Sequence, residues 1–171
     1  MIMSPWLRKS ALTLHVMLSV GVLGAVAAFL ILALMGLVSS NDAMVRSVYP
    51  AMDVIARLVI VPLAFGSLLS GIVQSLGTTW GLFRHYWVLA KLFLTVFVIV
   101  ILLHQMGLIG TLADVAAQGL LSTSDYLQAR RSLAIHASGG LLALLIPVAF
   151  SIFKPRGVTR YGWRKQHKSR L

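Results

Sequence analysis

The stretch ALTLHVMLSVGVLGAVAAFLILALMGLV, residues 11–38, decides the fold. It runs 28 residues without a charged side chain. As an α-helix it would be about 42 Å long, and the hydrocarbon core of a bilayer is about 30 Å thick. In lipid such a run has to be helical, because nothing there can hydrogen-bond an open backbone N–H or C=O. Its excess length implies tilt or a protruding end. A secretory leader is the rival reading: Arg8 and Lys9 would form its basic start, and Ala25-Val26-Ala27 its cleavage site. The apolar run continues past Ala27 to Val38, which favours a retained helix.

Three further apolar runs follow, at 54–76, 88–106 and about 133–153. The expectation is an all-α membrane protein, a four-transmembrane-helix antiparallel bundle over residues 1–153 with a basic tail at 154–171. Of the 171 residues, 58% are hydrophobic and 11% charged, against about 25% charged in a soluble domain. That leaves no room for a separate soluble domain.

Charge sets the orientation. Arg8, Lys9, Arg84, Lys91, Lys154, Arg156, Arg160, Arg164, Lys165, Lys168 and Arg170 fall on one flank with no acid among them. The four aspartates, Asp42, Asp53, Asp114 and Asp125, fall on the other with Arg46, Arg57, Arg130 and Arg131. The positive-inside rule then places both termini in the cytoplasm and the chain in a bacterial inner membrane as a multi-pass protein. Trp6, Trp80, Tyr86 and Trp87 would form the inner aromatic belt, with Tyr49 and Tyr126 at the outer interface. Asp53 precedes Arg57 by four residues, the spacing of an ion pair on one helix face. Ser122 and Asp125 have the spacing of a capping box that would start the fourth helix near Asp125.

The net charge of +11 would suit nucleic acid, but a basic tail beside a bilayer points to anionic lipid headgroups instead. Arg84, Lys154, Arg156, Arg160, Arg164, Lys165, Lys168 and Arg170 are the expected lipid contacts, and nucleic acid is not an expected partner. Small residues at helical spacing, such as Gly21 with Ala25, Gly66 with Ser70 and Ser67 with Gly71, predict close helix packing. The same surfaces would serve a homo-oligomer or another membrane-protein partner. Pro62 and Pro147 are expected to kink the second and fourth helices. The segment 107–124 reads either as a short amphipathic helix on the outer surface or as a loop.

Polar groups inside spans are the candidate functional residues. The chain has no cysteine and no glutamate, which removes thiolate chemistry and leaves no nucleophile–base–acid set. No enzyme activity is expected. His104 and His136 share a depth in the outer leaflet, with Met52 and Met106 near that level; histidine plus thioether is a copper(I) ligand set. Two facing histidines would equally hold the iron of haem b. The glycines at 139 and 140 would leave a bare patch for a flat macrocycle or for another helix. At the inner side His15 and Lys91 lie at comparable depth, where Ser19 would orient the ring and Lys91 would snorkel to phosphate or hold an anionic ligand such as a haem propionate. The bland reading of these histidines is helix-to-helix hydrogen bonding, and of the methionines, packing.

LTLHVMLSVGVLGAVAAF (12–29), GTTWGLFRHYWVLAKLFLTVFVIVILLH (77–104) and FKPRGVTRYGWRK (153–165) give the chain a family likeness. It resembles uncharacterised bacterial four-helix membrane proteins and, more distantly, copper-resistance D-like membrane proteins. The resemblance implies a four-helix bundle and singles out His15, Lys91 and the 77–91 segment. The copper proteins have a larger membrane domain, so a transport path here would need oligomerisation.

Overall fold

A computed structural model describes residues 3–78, 81–122, 124, 126–153 and 157–168. Its long helices form four spans, each apolar enough to cross a bilayer. Ser4 starts the first, α1 (Pro5–Val38): its Oγ accepts from Leu7 N–H at 3.4 Å, and Pro5 takes the first helical position, where no N–H is needed. Asn41 then caps α2 (Asp42–Ile55), accepting from Ala43 N–H at 2.9 Å and Met44 N–H at 3.4 Å. A π-helical turn over Ala56–Ile60 joins α2 to α3 (Val61–Gly77) without a break. There Val61 N–H reaches back to Ala56 O. The wide turn comes just before Pro62, which has no N–H and whose ring crowds the preceding turn. α4 (Tyr86–Ala117) and α5 (Leu127–Phe153) complete the bundle, and α6 (Arg160–Lys168) follows. Around the bundle the order is α1, the α2–α3 span, α4, α5 and back to α1.

Several elements differ from the sequence expectation. The 107–124 segment is neither a surface helix nor a loop: α4 continues to Ala117, burying Ile109, Leu112, Ala113 and Ala116. α2 supplies the partner surface, with Val45, Val48, Tyr49 and Met52 buried. Gly119, at φ +71°, then ends α4 by turning Leu120 N–H back onto Val115 O. Tyr49 is not part of an interfacial belt but 1% exposed in the core, and Arg130 is fully buried rather than facing water. The physical reason is one polar knot. Arg130 Nε donates to Tyr49 Oη at 2.9 Å, Nη1 to Ser122 O at 3.2 Å, and Nη2 to Gly36 O. A Cβ at Gly36 would stand 2.8 Å from Tyr49 Oη, so glycine makes the room. Asp125 of the expected Ser122–Asp125 cap, and Trp80, lie outside the described residues.

Asp53 and Arg57 do pair, Arg57 Nε donating to both carboxylate oxygens at 2.8 and 2.9 Å. The small residues of α1 and α3 are also in contact. Gly66 faces Leu18, Gly21 faces Leu63, and Ser19 and Ser67 share a 2.8 Å hydrogen bond.

The tail is ordered against the loop between α3 and α4. Thr159 N–H donates to Arg84 O at 2.9 Å, and Tyr86 N–H to Gly157 O at 3.4 Å. The Thr159 hydroxyl donates to Phe83 O and accepts from Gly162 N–H at 3.1 Å, which caps α6. Gly162 lies so close that a Cβ would sit 2.5 Å from Arg84 O. Of the expected lipid contacts, Arg160 and Arg164 are exposed on α6 and Arg84 is half-buried. Lys165 and Lys168 belong to α6 by backbone, and Lys154, Arg156 and Arg170 lie outside the described residues.

Candidate functional site

Packing is uneven along the bundle. The buried core is densest at the loop end, around Phe29, Ala33, Tyr49, Met52 and Leu112. Between the four spans lies a cavity of about 760 Å³, lined from His15 and Ser151 at the end that carries the termini to Ile109 and Leu133 toward the loop end. This lies within the roughly 300–1,000 Å³ range of small-molecule sites. Val22, Val26, Ala64, Val98, Ile99 and Ala143 are among the side chains that make its walls apolar.

One stretch of wall is bare. Gly139 and Gly140 line the cavity, and a Cβ built at either would meet nothing within 4 Å. Glycine is unfavourable inside a helix by roughly 0.5–1 kcal/mol relative to alanine. Here no neighbouring helix presses against the pair.

Polar groups sit at both ends of the cavity. At the end nearer the termini, Lys91 on α4 donates through Nζ to Ser151 Oγ on α5. Its ammonium also lies 4.7 Å from the Trp87 ring centroid, a cation–π distance. His15 is on the same stretch of wall. Its Nδ1 is 3.2 Å from Ser67 O and 3.0 Å from Ser70 Oγ. A carbonyl can only accept, so the ring proton is on Nδ1, and Nε2 keeps its lone pair in the neutral ring. The expected orienting partner Ser19 instead bonds Ser67. Gly71 admits the ring, since a Cβ there would be 3.0 Å from His15 Cε1. Both sequence candidates at this end, His15 and Lys91, therefore line one cavity.

The proposed metal set at the other end does not converge on that cavity. His136 lines it, but His104 is exposed on another face of α4, about 100° around from its neighbour Gln105. His104 and Met106, two residues apart, are directed about 200° from each other. Met52 is fully buried among core side chains of α2, and Met106 packs partly buried against the same core. Among the described residues no group of three or more His, Asp or Glu side chains comes together.

Gln105 is the polar residue that attention to the histidines overlooks. It is 9% exposed and lines the cavity; its amide makes no hydrogen bond among the described residues and is not sealed, so it reaches the open space of the cavity. The signal for it in the sequence was its amide inside an otherwise apolar run, obscured by the adjacent His104. Comparison of the chain with protein-family models, curated proteins and solved structures returned no match.

Proposed function

We propose that this multi-pass membrane protein is a non-catalytic binding protein for an elongated apolar molecule that lodges between its helices. One observation carries the reading: the bare Gly139–Gly140 wall opens into a 760 Å³ cavity. A void of that size left dry would forfeit packing along every wall. A long hydrophobic guest restores it. With the basic flank in the cytoplasm, the guest would arrive from the inner leaflet and pass His15 and Lys91 at the mouth. The exposed cations Arg160 and Arg164, and the rest of the basic tail, would rest on anionic headgroups beside that mouth.

Photolabelling tests the reading. An alkyl diazirine probe added to the protein in nanodiscs should mark cavity residues such as Thr95 and Ala143 above lipid-facing residues such as Phe93 and Leu142. Gly140→Phe, which fills the cavity from a position with open space, should abolish that excess. Equal labelling inside and outside, unchanged by Gly140→Phe, would refute the proposal.

A second reading has one observation in its favour. The Nδ1 of His15 is tied to a backbone carbonyl, the arrangement that orients metal-ligating histidines. His15 would then hold the iron of haem b in the cavity, with Lys91 available to a propionate, and the haem would supply one-electron chemistry. A spectrum recorded after haem supplementation, before and after dithionite, should show a Soret band that His15→Ala removes. A colourless wild-type protein ends this reading.

A further inference from the structure

The amide of Gln105 points to what the guest carries. Gln105 is nine-tenths buried and lines the cavity, and because no side-chain N or O among the described residues is sealed without a partner, its amide opens onto the cavity space where a guest would meet it. Its surroundings on the cavity wall include Ile109 and Leu133, which cannot hydrogen-bond. The Lys91–Ser151 bond fixes the register between α4 and α5. Fourteen residues outward along each antiparallel helix lie Gln105 and Ala137, about 21 Å from that bond. His136, next to Ala137, is exposed and lines the open rim of the cavity at the same level. Its Nδ1 donates to Ser132 O at 2.7 Å, which leaves Nε2 as an acceptor in the neutral ring.

Resting on the cavity reading above, we infer that Gln105 and His136 form a docking station for the neutral, oxygen-bearing head of a long-chain amphiphile, whose chain runs back toward Lys91. The Gln105 amide donates to a carbonyl, and the His136 ring accepts from a hydroxyl. A long-chain quinone with its quinol satisfies both partners in turn. A charged head is disfavoured at this depth, because ions are costly to bury in the hydrocarbon. The cation of this cavity, Lys91, sits at the other end.

Displacement of the diazirine label from the cavity is the test, using decyl-quinone, dodecanol, dodecanoate and dodecane as competitors. On wild-type protein the quinone and the alcohol should compete about tenfold better than dodecane. Gln105→Leu should bring both down to the dodecane level while leaving dodecane itself unchanged. The same variant should melt no lower than wild type when empty, since it replaces an amide that bonds no described residue with an apolar side chain of similar size. Equal competition by all four on wild-type protein, or a head preference that survives Gln105→Leu, overturns the station. Best competition by dodecanoate, lost in Lys91→Met, also overturns it and moves the polar end to Lys91. If not even dodecane displaces the label, the cavity reading fails first.

Discussion

Arg130 on α5 donates through Nε to the phenolic oxygen of Tyr49 on α2 at 2.9 Å, and both side chains are buried. Through Gly36 O the same guanidinium reaches α1, so one side chain ties three helices at the loop end. Hydrogen bonds to charged groups contribute about 1.5–3 kcal/mol each. Tyr49→Phe should therefore lower unfolding free energy by about 1–2 kcal/mol, and Arg130→Leu by on the order of 3 kcal/mol, because it leaves a phenol and the carbonyls of Gly36 and Ser122 unmatched. Denaturant titration of the purified protein in mixed micelles reads both. Equal stability of wild type and Arg130→Leu would show the knot to be incidental.

Gly36 tests the same knot sterically. A Cβ at this position would lie 2.8 Å from Tyr49 Oη and 3.0 Å from Cζ. Gly36→Ala should destabilise despite alanine's better helix propensity. Tyr49→Phe removes the closest atom, so the double variant should lose less than the sum of the two single losses. Additive losses would mean that the clash is relieved elsewhere.

The glycines of α5 should respond the other way. Gly139 and Gly140 face open space, so alanine at either should stabilise by about 0.5–1 kcal/mol through reduced chain entropy. Gly71→Leu should instead drive α1 and α3 apart, because His15 Cε1 already stands 3.0 Å from the position of a Cβ. A thermal shift series ranks the three variants. Destabilisation by Gly140→Ala would mean that another surface covers this wall.

Much of this architecture can be read from the residues. Apolar runs of bilayer length locate all four spans, and the i,i+4 order of Asp53 and Arg57 foretells their bond, because both signals are local. The length of α4 beyond Met106 is not local: its partner surface is α2, distant in sequence. Tyr49 and Arg130 look like interfacial residues until α2 and α5 bring them face to face. The candidate site divides similarly. His15 and Lys91 are legible as polar residues in apolar spans, and both reach the cavity. Depth alone cannot give rotation about a helix axis, so His104 and Gln105, adjacent in sequence and equal in depth, exchange roles: the histidine faces out and the amide faces in. Nor does composition distinguish a glycine that admits a neighbour, such as Gly66 against Leu18, from one that faces a void, such as Gly140.

The docked tail predicts a protease pattern. Gly162 packs where a Cβ would be 2.5 Å from Arg84 O, a backbone atom that cannot swing aside. Gly162→Ala should release α6 from the α3–α4 loop and speed tryptic cleavage after Arg160 and Arg164 several-fold. The melting of the four spans should hardly change, since α6 adds little to the bundle core. Unchanged cleavage kinetics would show that Thr159 alone holds the tail.

The two ends of the bundle can be assigned to membrane faces by thiol labelling, which the absence of cysteine makes clean. Ser10 is exposed near the start of α1, at the end that carries the basic residues, and Ser40 is exposed in the turn between α1 and α2, at the opposite end. Lys and Arg flanking a span are retained on the cytoplasmic side, and the acids have little influence. Intact cells treated with a membrane-impermeant maleimide should label Ser40→Cys and spare Ser10→Cys until the membrane is opened. The reverse pattern would place the cavity mouth, with His15 and Lys91, on the outer side. The guest would then enter from the outer leaflet, and the basic tail would face away from the cytoplasm against the charge rule.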